Sequence, residues 1–308
     1  MISNAVTIRP LTVGLAVSAT TDQGICPSGC IPVVSAAVRA KLHAGGNSMT
    51  ALADRFESAV RFANEAASLA LRMRTGRGII SATLKGAQDW VTEADGAVER
   101  LLSNRLARDF PADGFQGEEG GRVRSGSLRW VVDPIDGTAN FMRGGHRFCV
   151  SLGCLDGNLP VIGVIVAPAL EETFAACVGL GATLNGTAIH ATDTADLTQA
   201  TIELGWSTRR PRDEFVALTD RILAAGAMPR LSGSGALGLA EVAAGRLDGY
   251  VELHINLWDA AAALTILAEG GATVSNFLAN DGAAAGRPLL AAAPGIATAL
   301  SDVAQIGL

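Results

Sequence analysis

Two aspartates close an apolar run in the segment RWVVDPIDGTANF, which starts at Arg129, and a Gly-Thr pair follows them. Pro134 fixes φ near about −65° directly after Asp133, and Gly137 permits backbone angles that other residues resist. The segment therefore predicts a rigid corner at which Asp133 and Asp136 can converge on one point. Carboxylates placed in this way are ligands for a hard cation such as Mg²⁺.

The same corner can bind an anion. If a short helix begins there, the backbone N–H groups of Gly137 and Thr138 lie free, and the carbonyl of Ile135 can join the two aspartates. Cation ligands beside an anion seat are what a metal-dependent phosphate enzyme needs. The alternative is that Asp, Pro and Gly simply favour turns, and this motif alone leaves the two interpretations about equal.

Three further acidic segments bear on this choice. FQGEEGG places Glu118 in a Gly-rich setting, DWVTEAD offers Asp95 at a helix start, and LWDAAAA puts Asp259 in the first turn of an apolar helix. Taken singly, each is explained by structure alone, as a solvated turn, an N-cap or a favourable contact with the helix dipole. Their conjunction with Asp133 and Asp136 favours a metal cluster.

The elements that must position these acids follow from the hydrophobic pattern. Apolar residues at helical spacing follow Met49 and Asp95, and the runs LRWVVD, FCVSLGCL, VIGVIVA and TFAACV predict neighbouring strands of an antiparallel sheet. From about residue 187, strands and helices alternate as in layered α/β units. We predict an α+β / α/β chain with three parts: an extension at 1–48, a metal-binding α+β domain at 49–186, and an α/β domain at 187–308 that completes the active site.

The first 48 residues mix small, β-branched and turn residues without a helical period. We expect a disordered or non-native extension, with Met49 as the natural start. A signal peptide with its apolar core at Leu11 to Ala19 is the less favoured alternative, because only Arg9 supplies positive charge. The five cysteines, an odd number, give no disulfide framework. We therefore expect free thiols and a cytoplasmic location.

Composition excludes several classes of protein. With 49% hydrophobic and 18% charged residues, the chain can fill a large core. The net charge of −6, the absence of a Lys/Arg cluster and the few aromatic residues argue against nucleic acid as a partner. No apolar run reaches the roughly 20 residues that cross a bilayer, so no membrane partner is expected.

The acidic segments, in this order and at these separations, resemble the inositol monophosphatase family: DWVTEAD, then GEE, then WVVDPIDGTANF, then GSGALGLAEVAAGRLDGYVE with LWDAAAA. The resemblance runs from about Met49 to the C-terminus. It implies a layered αβαβα sandwich of the inositol monophosphatase and fructose-1,6-bisphosphatase type. It also implies a homodimer.

The resemblance implies a site for two to three Mg²⁺ ions. Glu118, Asp133 and the Ile135 carbonyl would bind one ion. Asp133, Asp136 and Asp259 would bind a second, and a third, more loosely held ion would lie near Glu118.

The catalytic residues implied are Asp95 and Thr138, which would position and activate a water, together with the metal ligand Glu118. The attack on phosphorus would be in line, by a metal-activated water. Gly137 and Thr138 would seat the phosphate through their backbone N–H groups. All of these residue types are present, which argues against a catalytically silent relative that acts only by binding a partner.

Substrate choice is implied to lie away from the metals. Gly233, Ser234, Gly235 and Arg230 would line the pocket for the alcohol part, and Glu252 would accept hydrogen bonds from ring hydroxyls. The expected substrate is a small phosphorylated polyol or amino alcohol, with inositol 1-phosphate first. Histidinol phosphate and other sugar or polyol phosphates are the alternatives.

Overall fold

The computed structural model describes residues 49–76, 82–86, 89–279 and 282–308. The predicted N-terminal extension, residues 1–48, lies outside the described residues. Within the described part of the chain, no helix is both long and apolar enough to cross a membrane.

The described helices and strands are numbered here in chain order. The helices are α1 Met49–Gly76, α2 Glu93–Asp109, α3 Thr138–Met142, α4 Arg212–Ala224, α5 Gly235–Ala243, α6 Leu257–Glu269, α7 Gly282–Ala285 and α8 Ala297–Ala304. The strands are β1 Ala82–Gly86, β2 Asp89–Thr92, β3 Gly114–Gly117, β4 Gly121–Arg124, β5 Leu128–Asp136, β6 Cys149–Asp156, β7 Leu159–Ala167, β8 Glu172–Cys177, β9 Gly181–Leu184, β10 Thr187–Ala188, β11 Thr201–Leu204, β12 Met228–Arg230, β13 Gly249–Ile255, β14 Thr273–Val274 and β15 Arg287–Ala292.

Strands β1 and β2 form a separate two-stranded hairpin, and the other described strands form two sheets. The larger of these has eight strands in the order β10-β9-β8-β7-β6-β5-β3-β4. The four apolar runs predicted as neighbouring strands are β5 to β8, and they pair antiparallel as expected. Strand β3 instead runs parallel to β5, with Gly117 opposite Val132. The carboxyl ends of β3 and β5 therefore meet at one edge of the sheet.

The smaller sheet has five strands in the order β12-β11-β13-β15-β14. Strands β12, β11 and β13 are parallel, and β15 inserts antiparallel between β13 and β14. Strands β12 and β15 are not predicted by the hydrophobic pattern of the sequence. The residues Leu289 to Ala291 of β15 are fully buried, so this strand lacks the alternation that marks a half-exposed strand.

Helices and sheets stack in five layers. Helices α1 and α2 share a buried apolar cluster with one face of the larger sheet. Helices α5 and α6 share another with its opposite face and with one face of the smaller sheet. Helices α4 and α8 cover the remaining face of the smaller sheet. This arrangement confirms the predicted αβαβα sandwich.

Strand β5 is buried on both faces because it is central to the larger sheet. Trp130 and Val132 belong to the cluster under α1 and α2, whereas Val131 belongs to the cluster under α6. Helix α6 approaches the sheet closely: a Cβ on Gly153 of β6 would lie 2.7 Å from the Ala261 backbone. Close packing of the Ala-rich α6 on the sheet fixes the position of its N-terminal turn.

Candidate metal centre and substrate cavity

Asp133 and Asp136 lie at the buried end of β5, three residues apart, where regular strand geometry would point them to opposite faces. Asp133 pairs with Ser151 and Asp136 with Cys149 on β6, and the register shifts between these two pairs. This irregularity, next to Pro134, turns both carboxylates toward the same point. The predicted corner is thus built as a distorted strand end.

Asp259 joins them from the other side of the chain. It lies in the first turn of α6, where its Oδ2 accepts a hydrogen bond of 3.0 Å from the Asn256 backbone N–H and so caps the helix. Oxygen atoms of Asp133, Asp136 and Asp259 all lie within 4.8 Å of one another. Asp259 therefore both caps α6 and belongs to the acidic cluster.

These carboxylates repel one another inside the protein. Burial raises the pKa of Asp133 well above its usual range, and the negative charges of Glu118, Asp136 and Asp259 raise it further. Burial, with the charge of Asp136, raises the pKa of Asp259 to about 6. A divalent cation would offset this repulsion, and a set of oxygen ligands without His or Cys suits Mg²⁺.

Glu118 reaches the cluster through the parallel pairing of β3 with β5. It follows β3 directly, and its backbone N–H donates to the Val132 carbonyl at 3.1 Å. Its side chain lines the same cavity as Asp133 and Asp136. The structure therefore brings together the four acids predicted as metal ligands.

Asp136 is also bound to the start of α5. Its carboxylate accepts hydrogen bonds from the Ser234 hydroxyl, from the backbone N–H of Gly235 at 3.2 Å and of Ala236 at 2.9 Å, and from the Cys149 thiol at 3.6 Å. A carboxylate at this place satisfies free N–H groups and interacts favourably with the helix dipole. The polar groups of Ser234 and Gly235, predicted to line the substrate pocket, thus bind Asp136, although both residues also line the cavity.

The Gly-Thr pair turns the chain from β5 into α3. Gly137 has φ 86°, in the left-handed region, and precedes the first helical residue, Thr138. The Thr138 hydroxyl donates to the Ile135 carbonyl at 2.9 Å. Both predicted phosphate-seat residues and the predicted carbonyl ligand therefore line the cavity.

Asp95 lies in a different local arrangement. Its carboxylate accepts hydrogen bonds from the Thr92 backbone N–H at 2.8 Å and from the Thr92 hydroxyl at 2.5 Å, which forms the cap of α2. Burial raises its pKa to about 6. Within the described residues, no hydrogen bond joins Asp95 to Thr138, whose hydroxyl donates to Ile135 instead. Their pairing as water activators stays a prediction.

The acids line a cavity of about 550 Å³ that extends to the smaller sheet. Glu252 of β13 lines it, is 8% exposed, and accepts a hydrogen bond of 2.5 Å from the Tyr250 hydroxyl. Burial raises the pKa of Glu252 to about 8. Glu252 is thus a buried strand residue that lines the cavity, and its predicted contact with a substrate hydroxyl stays a prediction.

Asn140 of α3 is a site residue that the sequence analysis missed. Its Nδ2 donates to the carbonyls of Arg147 at 2.8 Å and Ser232 at 2.9 Å. It thereby ties the phosphate-seat turn to the loop before α5, and Gly233, at φ 78°, sits in that loop. A polar residue inside the short apolar helix after Gly-Thr was the signal available in the sequence.

Arg230 was predicted to face the substrate but is held by carboxylates. Its Nε donates to buried Glu203 at 2.9 Å, and its other nitrogen bonds Glu241. Glu241 also forms a two-bond pair with Arg147, at 2.8 and 3.1 Å. This network joins β11, β12 and α5, and its Glu203 also lines the cavity. The sequence offered no local pattern that pairs these residues.

Comparisons with known proteins agree with this geometry. The sequence profile of the inositol monophosphatase family matches residues 51–305. An inositol-1-monophosphatase of Mycobacterium bovis is 38% identical over 228 residues, which cover 70% of this chain and 78% of the relative. A Nus factor SuhB of Xylella fastidiosa is 34% identical over 224 residues, or 72% and 82% of the two chains.

A solved inositol monophosphatase from Anabaena (Nostoc) has a TM-score of 0.72 and 31% identity to this chain, and covers 83% of it and 97% of the solved chain. The profile match spans the acidic cluster, the turn at Gly137 and Thr138, and Glu252 together. The likeness therefore extends over both sheets and over all the elements that line the cavity. The chain belongs to the inositol monophosphatase family, whose members are Mg²⁺-dependent phosphomonoesterases.

Proposed function

We propose that this protein hydrolyses small phosphate monoesters with Mg²⁺ and that inositol 1-phosphate is its preferred substrate. The observation that carries the proposal is the convergence of Asp133, Asp136 and Asp259 within 4.8 Å, in a cavity that also contains Glu252. Carboxylates suit Mg²⁺, and a polar wall suits an alcohol with many hydroxyls.

Two to three Mg²⁺ ions would be held by Glu118, Asp133, Asp136, Asp259 and the Ile135 carbonyl. Bound Mg²⁺ supplies charge neutralisation and Lewis acidity, and it lowers the pKa of a coordinated water. The buried carboxylates by themselves repel a phosphate monoester. Substrate binding is therefore expected to require the cation.

The residues around the cluster have distinct proposed roles. Gly137 and Thr138 bind the phosphate through backbone N–H groups, which favour negative charge at a helix start. The Thr138 hydroxyl donates to Ile135 and can at the same time accept a hydrogen bond from the attacking water. Asp95, with its pKa of about 6, is ionised at neutral pH and is the proposed proton acceptor.

Glu252 is the proposed contact for the alcohol part. Within the described residues, the Tyr250 hydroxyl bonds its Oε2 and holds the carboxyl in place. Oε1 is then left to accept a hydrogen bond from a substrate hydroxyl. This orients the leaving alcohol relative to the metal cluster.

The test is phosphate release from inositol 1-phosphate, histidinol phosphate and glycerol 2-phosphate, measured with Mg²⁺ and again with excess chelator. We expect activity with Mg²⁺ only, and the highest kcat/KM for inositol 1-phosphate. Turnover that persists in chelator would contradict the metal mechanism. A preference for histidinol phosphate would overturn the substrate but not the reaction.

Asp259→Asn, with Asp302→Asn as its control, completes this test. Asp302 is an exposed acid of α8 outside the cavity, so its variant removes the same charge without touching the cluster. We expect Asp259→Asn to lose more than about 100-fold in kcat, beyond the loss typical of groups that only support a metal ligand. Asp302→Asn should match the wild type.

We further propose a cytoplasmic homodimer. The buried thiols of Cys149, Cys154 and Cys177 are free, which is consistent with a reducing compartment. The dimer rests on the family resemblance alone.

A further inference from the structure

The loop between β11 and α4 is anchored to α4 at two points. The Trp206 ring packs edge to face on Phe215, with centroids 4.9 Å apart. The Arg210 guanidinium bonds the Glu214 carboxylate, with an Nε to oxygen distance of 2.9 Å. The two contacts join the beginning and the end of the loop to the same helix.

Two adjacent arginines, Arg209 and Arg210, follow Ser207 in a tight turn of this loop. The backbone N–H of Arg209 donates to the Ser207 hydroxyl, and that of Arg210 donates to the Ser207 carbonyl, both at 3.3 Å. Arg210 reaches α4, whereas Arg209 lines the substrate cavity together with Glu252. One guanidinium is thus bonded to α4, and the neighbouring guanidinium lines the cavity.

Arg209 differs from the other arginines near the cavity in its partners. Arg147 and Arg230 each bond buried carboxylates. No ion pair to Arg209 is found in the described part of the chain, although its positive charge acts on Glu252 across the cavity. A guanidinium without a bonded carboxylate, in a ligand cavity, has its planar set of donors available for an anion.

We infer that Arg209 is a specificity residue that binds a second anionic group, a phosphate or a carboxylate, on the alcohol part of the substrate. This inference rests on the proposed function, because the first phosphate is taken to occupy the metal cluster. Inositol 1-phosphate has no second anion. Substrates that carry one should therefore gain an interaction that inositol 1-phosphate cannot make.

The test compares substrate pairs that differ by one anionic group: fructose 1-phosphate with fructose 1,6-bisphosphate, and glycerol 2-phosphate with 2-phosphoglycerate. We measure kcat/KM with Mg²⁺ for the wild type, Arg209→Ala and the matched control Arg210→Ala. A charge-assisted hydrogen bond predicts that Arg209→Ala loses about tenfold or more in kcat/KM on the member with two anionic groups in at least one pair. The activity of Arg209→Ala on the simpler members should stay within about twofold. For each pair, Arg210→Ala should leave unchanged the ratio of kcat/KM between the member with two anionic groups and the simpler member.

The outcomes of this experiment distinguish a failure of the inference from a failure of the proposed function. If the wild type hydrolyses the simpler esters but Arg209→Ala changes neither ratio, or if both members of each pair lose equally, the second-anion site is wrong and the phosphatase stands. Loss in the fructose pair alone assigns a phosphate, and loss in the glycerol pair alone assigns a carboxylate. Absence of Mg²⁺-dependent hydrolysis of every ester overturns both. Arg209→Lys should restore part of the lost ratio because it restores the charge.

Discussion

Asp136 combines a proposed metal-binding role with a structural one. The sequence predicted its place in the acidic cluster, since Asp133 and Pro134 are its neighbours. It could not predict that the Ser234 hydroxyl and the N–H groups of Gly235 and Ala236 would bind the same carboxylate, because these donors lie about a hundred positions away in the chain. The partners of a residue depend on tertiary packing, whereas its chemical type does not.

The buried acids make the pH dependence of the metal-free protein predictable. The pKa values of Asp259 and Glu252 are raised to about 6 and about 8, mainly by burial. Their ordinary values in the unfolded chain are about 4. The folded state therefore binds protons that the unfolded state has lost, and stability falls as the pH rises through about 6 and about 8.

Thermal unfolding in chelator, from about pH 5 to about pH 9, measures this effect. We expect the melting temperature to fall across the range and Mg²⁺ to reduce the fall, because a ligand of the folded state stabilises it. The variant Glu252→Gln should lack the part of the fall that Glu252 causes below about pH 8, so its melting temperature should fall less between about pH 5 and about pH 8. A melting temperature that rises with pH in chelator would contradict the prediction.

At the scale of elements, the turn from β5 to α3 decides the position of the proposed phosphate seat, Gly137 and Thr138. The sequence predicted a corner from Pro134 and Gly137, and the structure has one, with Gly137 at φ 86°. A Cβ on Gly137 would lie 2.7 Å from the Arg147 carbonyl oxygen. The need for glycine thus has a local cause, the backbone angle, and a tertiary cause, the neighbouring segment.

Gly137→Ala and Gly144→Ala separate these two causes. Gly144 has a similar φ of 76°, but nothing lies within 4 Å of an added Cβ. We expect Gly144→Ala to cost about 1 kcal/mol in the free energy of unfolding and to keep activity. Gly137→Ala should cost about 2 kcal/mol or more and lower kcat strongly, because the start of α3 must move. Urea unfolding and phosphate release check this, and equal effects of the two variants would refute the tertiary part.

At the scale of the whole molecule, the cavity depends on both sheets and on the helices between them. Glu118 and Asp133 come from the larger sheet, Asp259 from α6, and Glu252 from the smaller sheet. The boundary predicted between 186 and 187 lies close to the end of the larger sheet, and the division into domains stays a prediction. Each half by itself would hold an incomplete set of ligands.

Removal of residues 1–48 tests the predicted extent of the enzyme. The family match begins at residue 51, and Leu52, near the start of α1, is fully buried. We expect the shortened protein to keep its melting temperature and its kcat/KM within about twofold. A matched truncation that also removes residues 49–60, and with them Leu52 and Ala59, should unfold the protein. Loss of folding in the first variant would show that the extension belongs to the domain.

Most helices and the central strands of the larger sheet could be predicted from the sequence, because their apolar residues recur with a helical period or form uninterrupted runs. Strand β15 could not, since it begins with Arg287 and Pro288 and its apolar run is short and partly alanine, which has a low strand preference. The short strand β12 could not be predicted either. Three residues, Met228 to Arg230, are too few to show any period.

The sequence by itself determined which residues are candidates for the proposed chemistry: the acids at 118, 133, 136 and 259, the Gly-Thr pair, and the corner that Pro134 and Gly137 impose. These follow from side-chain type and local backbone preference. The tertiary structure alone decided that β3 runs parallel to β5, that Asp136 holds α5, that Asp95 is bonded to Thr92, and that Arg209 and Arg210 diverge. The physical reason is that pairing between distant segments depends on how the whole chain buries its apolar surface, which no local pattern encodes.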